Sequence, residues 1–100
     1  MKNASFNTND VKKCCENKLD IEFRKKGKEF NGWFKINEVK ICRITVPKGR
    51  KSIGKGLYYS LAVQLKLTAE EFDELLECPL IKNEYEKILR KQNIISNIFI

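Results

Sequence analysis

Val46-Pro47-Lys48-Gly49-Arg50-Lys51-Ser52-Ile53-Gly54-Lys55-Gly56, followed by the apolar run from Leu57 to Leu67, decides how this chain is read. The residues before Pro47 favour a strand, and the proline stops it because it offers no N–H to a ladder. Behind the loop, Leu57, Leu61 and Leu65 recur at i, i+4 and i+8, with Tyr58, Ala62 and Val63 widening the stripe, so a core-facing helix is expected. A strand end, a basic glycine loop and a helix N-terminus in succession predict an anion site. There Lys48, Arg50, Lys51 and Lys55, with the amides of Gly49, Gly54 and Gly56, converge where the helix dipole is positive. The spacing is not that of a Walker phosphate loop, since no Gly-Lys-Ser/Thr triple follows four residues after a glycine.

Upstream, residues 1–9 are polar and Asn-rich and read as a frayed, flexible lead-in. Thr8, Asn9 or Asp10 caps a helix beginning near Val11, and Val11, Cys14, Cys15 and Leu19 form its apolar stripe. Ile21 to Arg24 alternates as a half-buried strand, and Lys25-Lys26-Gly27-Lys28 reads as a basic turn. Phe30 to Ile36 makes a second strand, Asn37-Glu38 a two-residue hairpin turn, and Val39 to Val46 a third strand. Along the third, Cys42, Ile44 and Val46 share one face and Ile41, Arg43 and Thr45 the other.

Downstream, Thr68-Ala69-Glu70-Glu71 is a capping box, with Leu67 and Phe72 placed as a hydrophobic staple, so a third helix starts at once. Pro79 ends it. Lys82 or Asn83 opens a fourth helix carrying Ile81, Tyr85, Ile88 and Leu89, and residues 94–100 are an apolar tail for which burial is expected. The expected fold is α+β: an αβββα core over residues 10–67, its three-stranded antiparallel sheet covered by helices on one face, then a helical extension and tail over 68–100, all in a single domain.

Charge is unevenly distributed. Residues 1–56 hold fifteen Lys/Arg against six Asp/Glu, and residues 57–100 hold five against seven, for a net +7. A basic first half feeding the glycine loop points to a polyanionic partner, RNA or another nucleic acid. Cys14, Cys15, Cys42 and Cys78 form neither a disulfide framework nor a CxxC zinc pair, and the chain has no histidine, so no metal or cofactor is expected. With no apolar run of about 20 residues and no signal peptide, no membrane association and a cytoplasmic location are expected.

Ile44-Thr45-Val46-Pro47, then Lys51-Ser52-Ile53-Gly54-Lys55-Gly56, then Leu57 through Leu67-Thr68-Ala69-Glu70-Glu71-Phe72 resembles the HicA family of small toxins. The resemblance covers about residues 8–77 and reaches motif level over 44–72. It implies a double-stranded-RNA-binding-domain-like αβββα fold, a place in a bacterial toxin–antitoxin pair with a HicB-like antitoxin as partner, and endoribonuclease activity. One departure bears on that activity. Members carry a Gly-Ser-His motif opening the second strand, whose histidine acts in cleavage. Counted back from Pro47, it falls on Gly32-Trp33-Phe34, with phenylalanine in the histidine's place. Proton transfer at neutral pH needs a group titrating near 7, and none is present. No catalytic residue is therefore assigned.

Trp33, Lys35 and Arg43 can share the outer sheet face as an aromatic flanked by cations, suited to stacking bases or contacting a protein. The alternative register makes Trp33 core and turns Phe34 outward. Two functions follow: a basic nucleic-acid-binding protein that grips phosphates through its loop, or a protein-interaction module. The second includes an inhibitor from a phage or mobile element that blocks a nucleoprotein complex.

Overall fold

The structure, a computed structural model, describes residues 2–77 and 82–92. A short 3-10 turn at Asn3–Ser5 leads into helix α1 (Thr8–Leu19), strands β1 (Glu22–Lys26), β2 (Glu29–Ile36) and β3 (Val39–Pro47), and helices α2 (Lys55–Gln64), α3 (Ala69–Glu77) and α4 (Lys82–Lys91). The strands form one antiparallel sheet in the order β1-β2-β3. The protein is α+β, with a three-stranded antiparallel sheet and four helices among the described residues. Among these, no helix is long and apolar enough to cross a membrane. The expected stop at Pro79, the roles of Ile81 and Cys78, and the apolar tail lie outside the described residues.

Both hairpins close through two-residue turns. Gly27 adopts φ +60° in the first, and Asn37 and Glu38 take φ +50° and +69° in the second. The second is the double left-handed conformation that matches strand twist, reached here without glycine. The basic turn is tighter than expected, because Lys25 and Lys26 belong to β1, which pairs up to Lys26 opposite Glu29.

The apolar residues meet in one cluster. Val11, Cys15 and Leu19 of α1, Phe34 of β2, Cys42, Ile44 and Val46 of β3, and Tyr58, Leu61 and Ala62 of α2 are buried together with Phe72, Leu75, Tyr85 and Leu89 from the last two helices. The Phe34 and Tyr85 rings meet nearly edge-on, 4.8 Å apart at 76°. Tyr85 Oη donates to the Leu65 carbonyl at 2.7 Å and lies 3.3 Å from Cys42 Sγ, so this buried hydroxyl is partnered. Burial pushes the Cys15 and Cys42 thiols up, as in structural rather than reactive cysteines.

The α3 capping box is present: Thr68 N donates to Glu71 Oε1 at 2.9 Å, and Glu71 N donates to Thr68 Oγ1 at 3.1 Å. At α1 the expected start needs correction. The cap is Asn7, not Thr8, Asn9 or Asp10, and it forms a reciprocal box with Asp10 at 2.9 and 2.8 Å. Residues 2–9, expected to be frayed, make contacts instead. Lys2 N donates to Asp73 Oδ1 at 2.9 Å, Lys2 Nζ pairs with Glu77 at 2.6 Å, and Asn3 Nδ2 donates to the Ile53 carbonyl at 2.8 Å.

Two stripe assignments also change. Val63 does not widen the buried face of α2, since it is 47% exposed. Ile41 does not alternate with Arg43 and Thr45. The β2–β3 register shifts between Phe34 and Lys35, so Phe34 faces Cys42 but Lys35 faces Lys40. Ile41 becomes the extra residue of a bulge and packs against the core cluster.

Candidate functional site

The loop from Lys48 to Gly54 is held at both ends and in the middle. Lys48 N donates to the Lys28 carbonyl at 3.0 Å, which ties the end of β3 to the β1–β2 turn. Thr8, fully buried, holds the centre: its hydroxyl donates to the Gly49 carbonyl and accepts from Lys51 N at 3.1 Å, and its own N–H donates to the Lys51 carbonyl at 3.0 Å. Asn7 and Ser52 add an isolated antiparallel bridge. Ile53, the loop's one apolar side chain, is buried, and Asn3 binds its carbonyl. The loop therefore leans on the first turn of α1, more than forty residues away in the chain.

Gly49 sits at φ +89°, a conformation that side chains with a Cβ resist. Gly54 is the N-cap of α2 at φ −71° and ψ 164° with no side-chain cap, and the first turn of α2 holds no acidic residue. The Cβ positions of Gly54 and Gly56 face open space. The amides that begin α2 have no partner within their own helix, and these two glycines leave them uncovered.

The four cations divide into two sets. Arg50, Lys51 and Lys55 are exposed, Lys55 as the first residue of α2. Lys48 turns back over Phe30, with Nζ 5.8 Å from the ring centroid, and Lys12 Nζ of α1 reaches the same ring at 4.7 Å. Lys25, the β1 residue paired with Phe30, completes this group. Partial desolvation and the neighbouring Lys25 ammonium both lower the Lys48 pKa. Lys12 is steadied by Glu16 at 3.1 Å. Thr8, Lys12, Lys25 and Phe30 were not among the candidate residues read from the sequence. Lys12 and Lys25 carry only the signal of basic charge and Thr8 and Phe30 carry none for this site, because long-range pairing brings all four to the loop.

The second candidate set lies elsewhere, on the sheet face turned away from α1 and α2. Phe34 is fully buried and Trp33 is only partly buried, on the outer face, which settles the register. Trp33 and Arg43 are direct partners across β2–β3. Arg43 Cζ lies 5.8 Å and Lys40 Nζ 4.7 Å from the Trp33 ring centroid. Lys35, exposed and opposite Lys40, lines with Trp33 a concavity of about 630 Å³. The structure thus brings Trp33, Lys35 and Arg43 together on one face, adds Lys40 to them, and keeps them apart from the loop.

Tyr58 and Tyr59, next to the loop, divide as core and surface. Tyr58 is fully buried and donates to Asp73, while Tyr59 is 58% exposed. Burial and the Asp73 carboxylate raise the Tyr58 pKa well above the phenol range, so it is no nucleophile at neutral pH. Chemically, the loop region offers anchored cations and uncovered amides. No protein-family model, curated protein or solved structure matches the chain.

Proposed function

We propose that this is a small basic nucleic-acid-binding protein, HicA-like and double-stranded-RNA-binding-domain-like in fold, that grips phosphates without cutting them. The observation carrying this reading is the clamped loop: Thr8 fixes the backbone at Gly49 and Lys51, in a loop that bears the exposed Arg50 and Lys51 and runs into the uncovered N-terminus of α2, where Lys55 is the first residue. A preordered loop binds without first losing its own freedom. The Lys12–Lys25–Lys48 group around Phe30 extends the positive surface, and an intervening anion relieves its mutual repulsion. The αβββα order of the first five elements supports the fold resemblance. Binding rather than cleavage follows from the residues available. The position matching the family's histidine is Phe34, buried against Tyr85, and the chain has no histidine.

The test is RNA binding by fluorescence anisotropy across a salt series. Four loop cations predict a log–log salt slope of about −3 to −4, and Lys51→Ala/Lys55→Ala should flatten it by about 1.5 to 2 while weakening affinity. An unchanged slope in the double variant refutes the assignment. Recovery from lysate of one stoichiometric protein that survives nuclease treatment would favour the interaction-module reading, with a HicB-like antitoxin or a nucleoprotein complex as partner.

A further inference from the structure

We propose that the outer sheet face around Trp33 is a second site, and that it takes an unstacked base of a single-stranded nucleic acid. The inference rests on the nucleic-acid reading of the loop and names the class of nucleic acid.

α1 and α2 cover one side of the sheet, yet the other side carries the chain's single tryptophan in its central strand. The ring lines a concavity of about 630 Å³, within the usual size of ligand clefts. Two cations, Lys40 and Arg43, hold it from the β3 side. Toward β1 its direct partner is Glu22, and Asn31 lies two residues along the same face. Thr45 Oγ1 donates to Asn31 Oδ1 at 2.7 Å, which fixes the Asn31 amide and leaves its NH₂ group as a donor.

This combination selects among ligands. A planar aromatic face suits any base, and stacking of this kind tolerates sequence. Glu22 can accept from an exocyclic amine and Asn31 can donate to a ring nitrogen or carbonyl, the pairings that side chains make with base edges. Arg24, Lys26, Lys35 and Lys40 surround the concavity and suit the phosphates. An acidic peptide would meet the Glu22 and Glu38 carboxylates on the same surface, with nothing to gain from them. Of the acidic residues there, Asp20 is already paired with Lys82 at 2.9 Å. A duplex keeps its bases stacked inside and cannot lay one on Trp33. From Arg43 to Lys48 is five residues of extended chain, about 16 Å, so a short single strand can reach both the ring and the loop.

Because Trp33 is the only tryptophan, its emission reports this face and no other part of the chain. The full chain is titrated with a single-stranded RNA ten-mer, a blunt RNA duplex of equal length, inorganic polyphosphate and a ten-residue polyglutamate. Binding is followed in parallel by anisotropy or competition. The expected result is saturable quenching by the single strand alone, with duplex and polyphosphate binding through the loop at unchanged emission. Trp33→Ala should lose about 5- to 100-fold in affinity for the single strand and nothing for the duplex. Lys51→Ala/Lys55→Ala should weaken binding of the three phosphate-bearing ligands, the single strand, the duplex and polyphosphate. Single-strand binding without any change in Trp33 emission overturns the proposal, and this needs no variant to fold. Quenching by polyglutamate but not by the ten-mer overturns it in favour of a protein ligand. Quenching by the ten-mer that survives in the double-lysine variant, together with duplex binding that the variant leaves intact, supports this site while sinking the loop assignment.

Discussion

Thr8→Val isolates the clamp that organises the loop. The substitution exchanges a hydroxyl for a methyl at a fully buried position, so packing volume is nearly preserved. It removes the donor to the Gly49 carbonyl and the acceptor for Lys51 N, while the backbone bond from Thr8 N to the Lys51 carbonyl stays. Leaving a buried polar group unpaired costs about 1–3 kcal/mol. Gly49 and Lys51 are themselves exposed, so water can reach the loop backbone and the lower end applies to each, about 2 kcal/mol together. For a chain of this size that lowers Tm by about 8–16 °C. Thr8→Ser keeps both hydrogen bonds and loses one methyl, worth about 0.8 kcal/mol. Thermal melts followed by circular dichroism should therefore rank wild type above Ser and Ser above Val. At 25 °C, with both variants folded, RNA affinity should fall about 2- to 12-fold for Val because the loop must now be ordered on binding. A Val variant as stable as Ser, or one that binds as well as wild type, refutes the clamp.

Three further outcomes follow from packing and charge. Phe34→Ala should cost about 3–5 kcal/mol, for a large ring removed from a closed core, whereas Trp33→Ala on the outer face should cost about 1–2 kcal/mol; urea unfolding of both variants checks the register, and the reverse order contradicts it. Gly32→Ala should destabilise by about 1–3 kcal/mol through overpacking, read from the same urea midpoints, because the new Cβ would lie 2.4 Å from Ile21 Cγ2 and 2.9 Å from the Phe23 ring. Burial pushes the Asp73 carboxyl up, but hydrogen bonds from the Tyr58 hydroxyl and the Lys2 N–H outweigh it, and the pKa is lowered overall. Its contribution to stability is thus present above the unfolded carboxylate value near 3.9 and lost as pH falls through the lower folded value. Urea midpoints at pH 7 and pH 3 should show a smaller acid loss for Asp73→Asn than for wild type, and equal losses would exclude this role.

The elements were legible because each carries a local signal. Period-two alternation marks β3, the Thr68–Glu71 box starts α3, and the Leu57–Leu61–Leu65 spacing marks α2. The register of β2 was not legible, because Trp33 and Phe34 are adjacent and both aromatic, so alternation cannot choose between them. The choice depends on Tyr85, fifty residues away, which fills the space beside Phe34. The bulge that draws Ile41 toward the core falls where the alternation slips, at the adjacent apolar pair Ile41-Cys42, a signal that the even two-face assignment of β3 overlooks. At α1, Thr8, Asn9 and Asp10 all resemble caps, yet Asn7 takes the role and frees the Thr8 hydroxyl to serve the loop. The loop's composition raised the expectation of an anion site. That it is clamped, and by which residue, depends on contacts more than forty positions apart.

Those long-range contacts also bear on the proposal that this protein grips phosphates without cutting them. Cleavage needs a titrating group that can reach a scissile phosphate. Under the proposed HicA-like reading, that group would come from the second strand at the position of Phe34. In this sheet that position points inward, fully buried under Tyr85, while the open outward position next to it holds Trp33. A phenylalanine there favours the core by burying a whole ring. Gripping has different requirements: cations held in place, amides left uncovered and a backbone that does not have to be ordered on binding. The buried Thr8 hydroxyl, the left-handed Gly49 and the bare N-terminus of α2 supply these, and none of them depends on a proton donor. Phe34 is closed in by Tyr85 of α4, and the loop is held by Thr8 of α1. On the proposed reading, binding through the loop needs nothing from the Phe34 position, in a chain that has no histidine to place there.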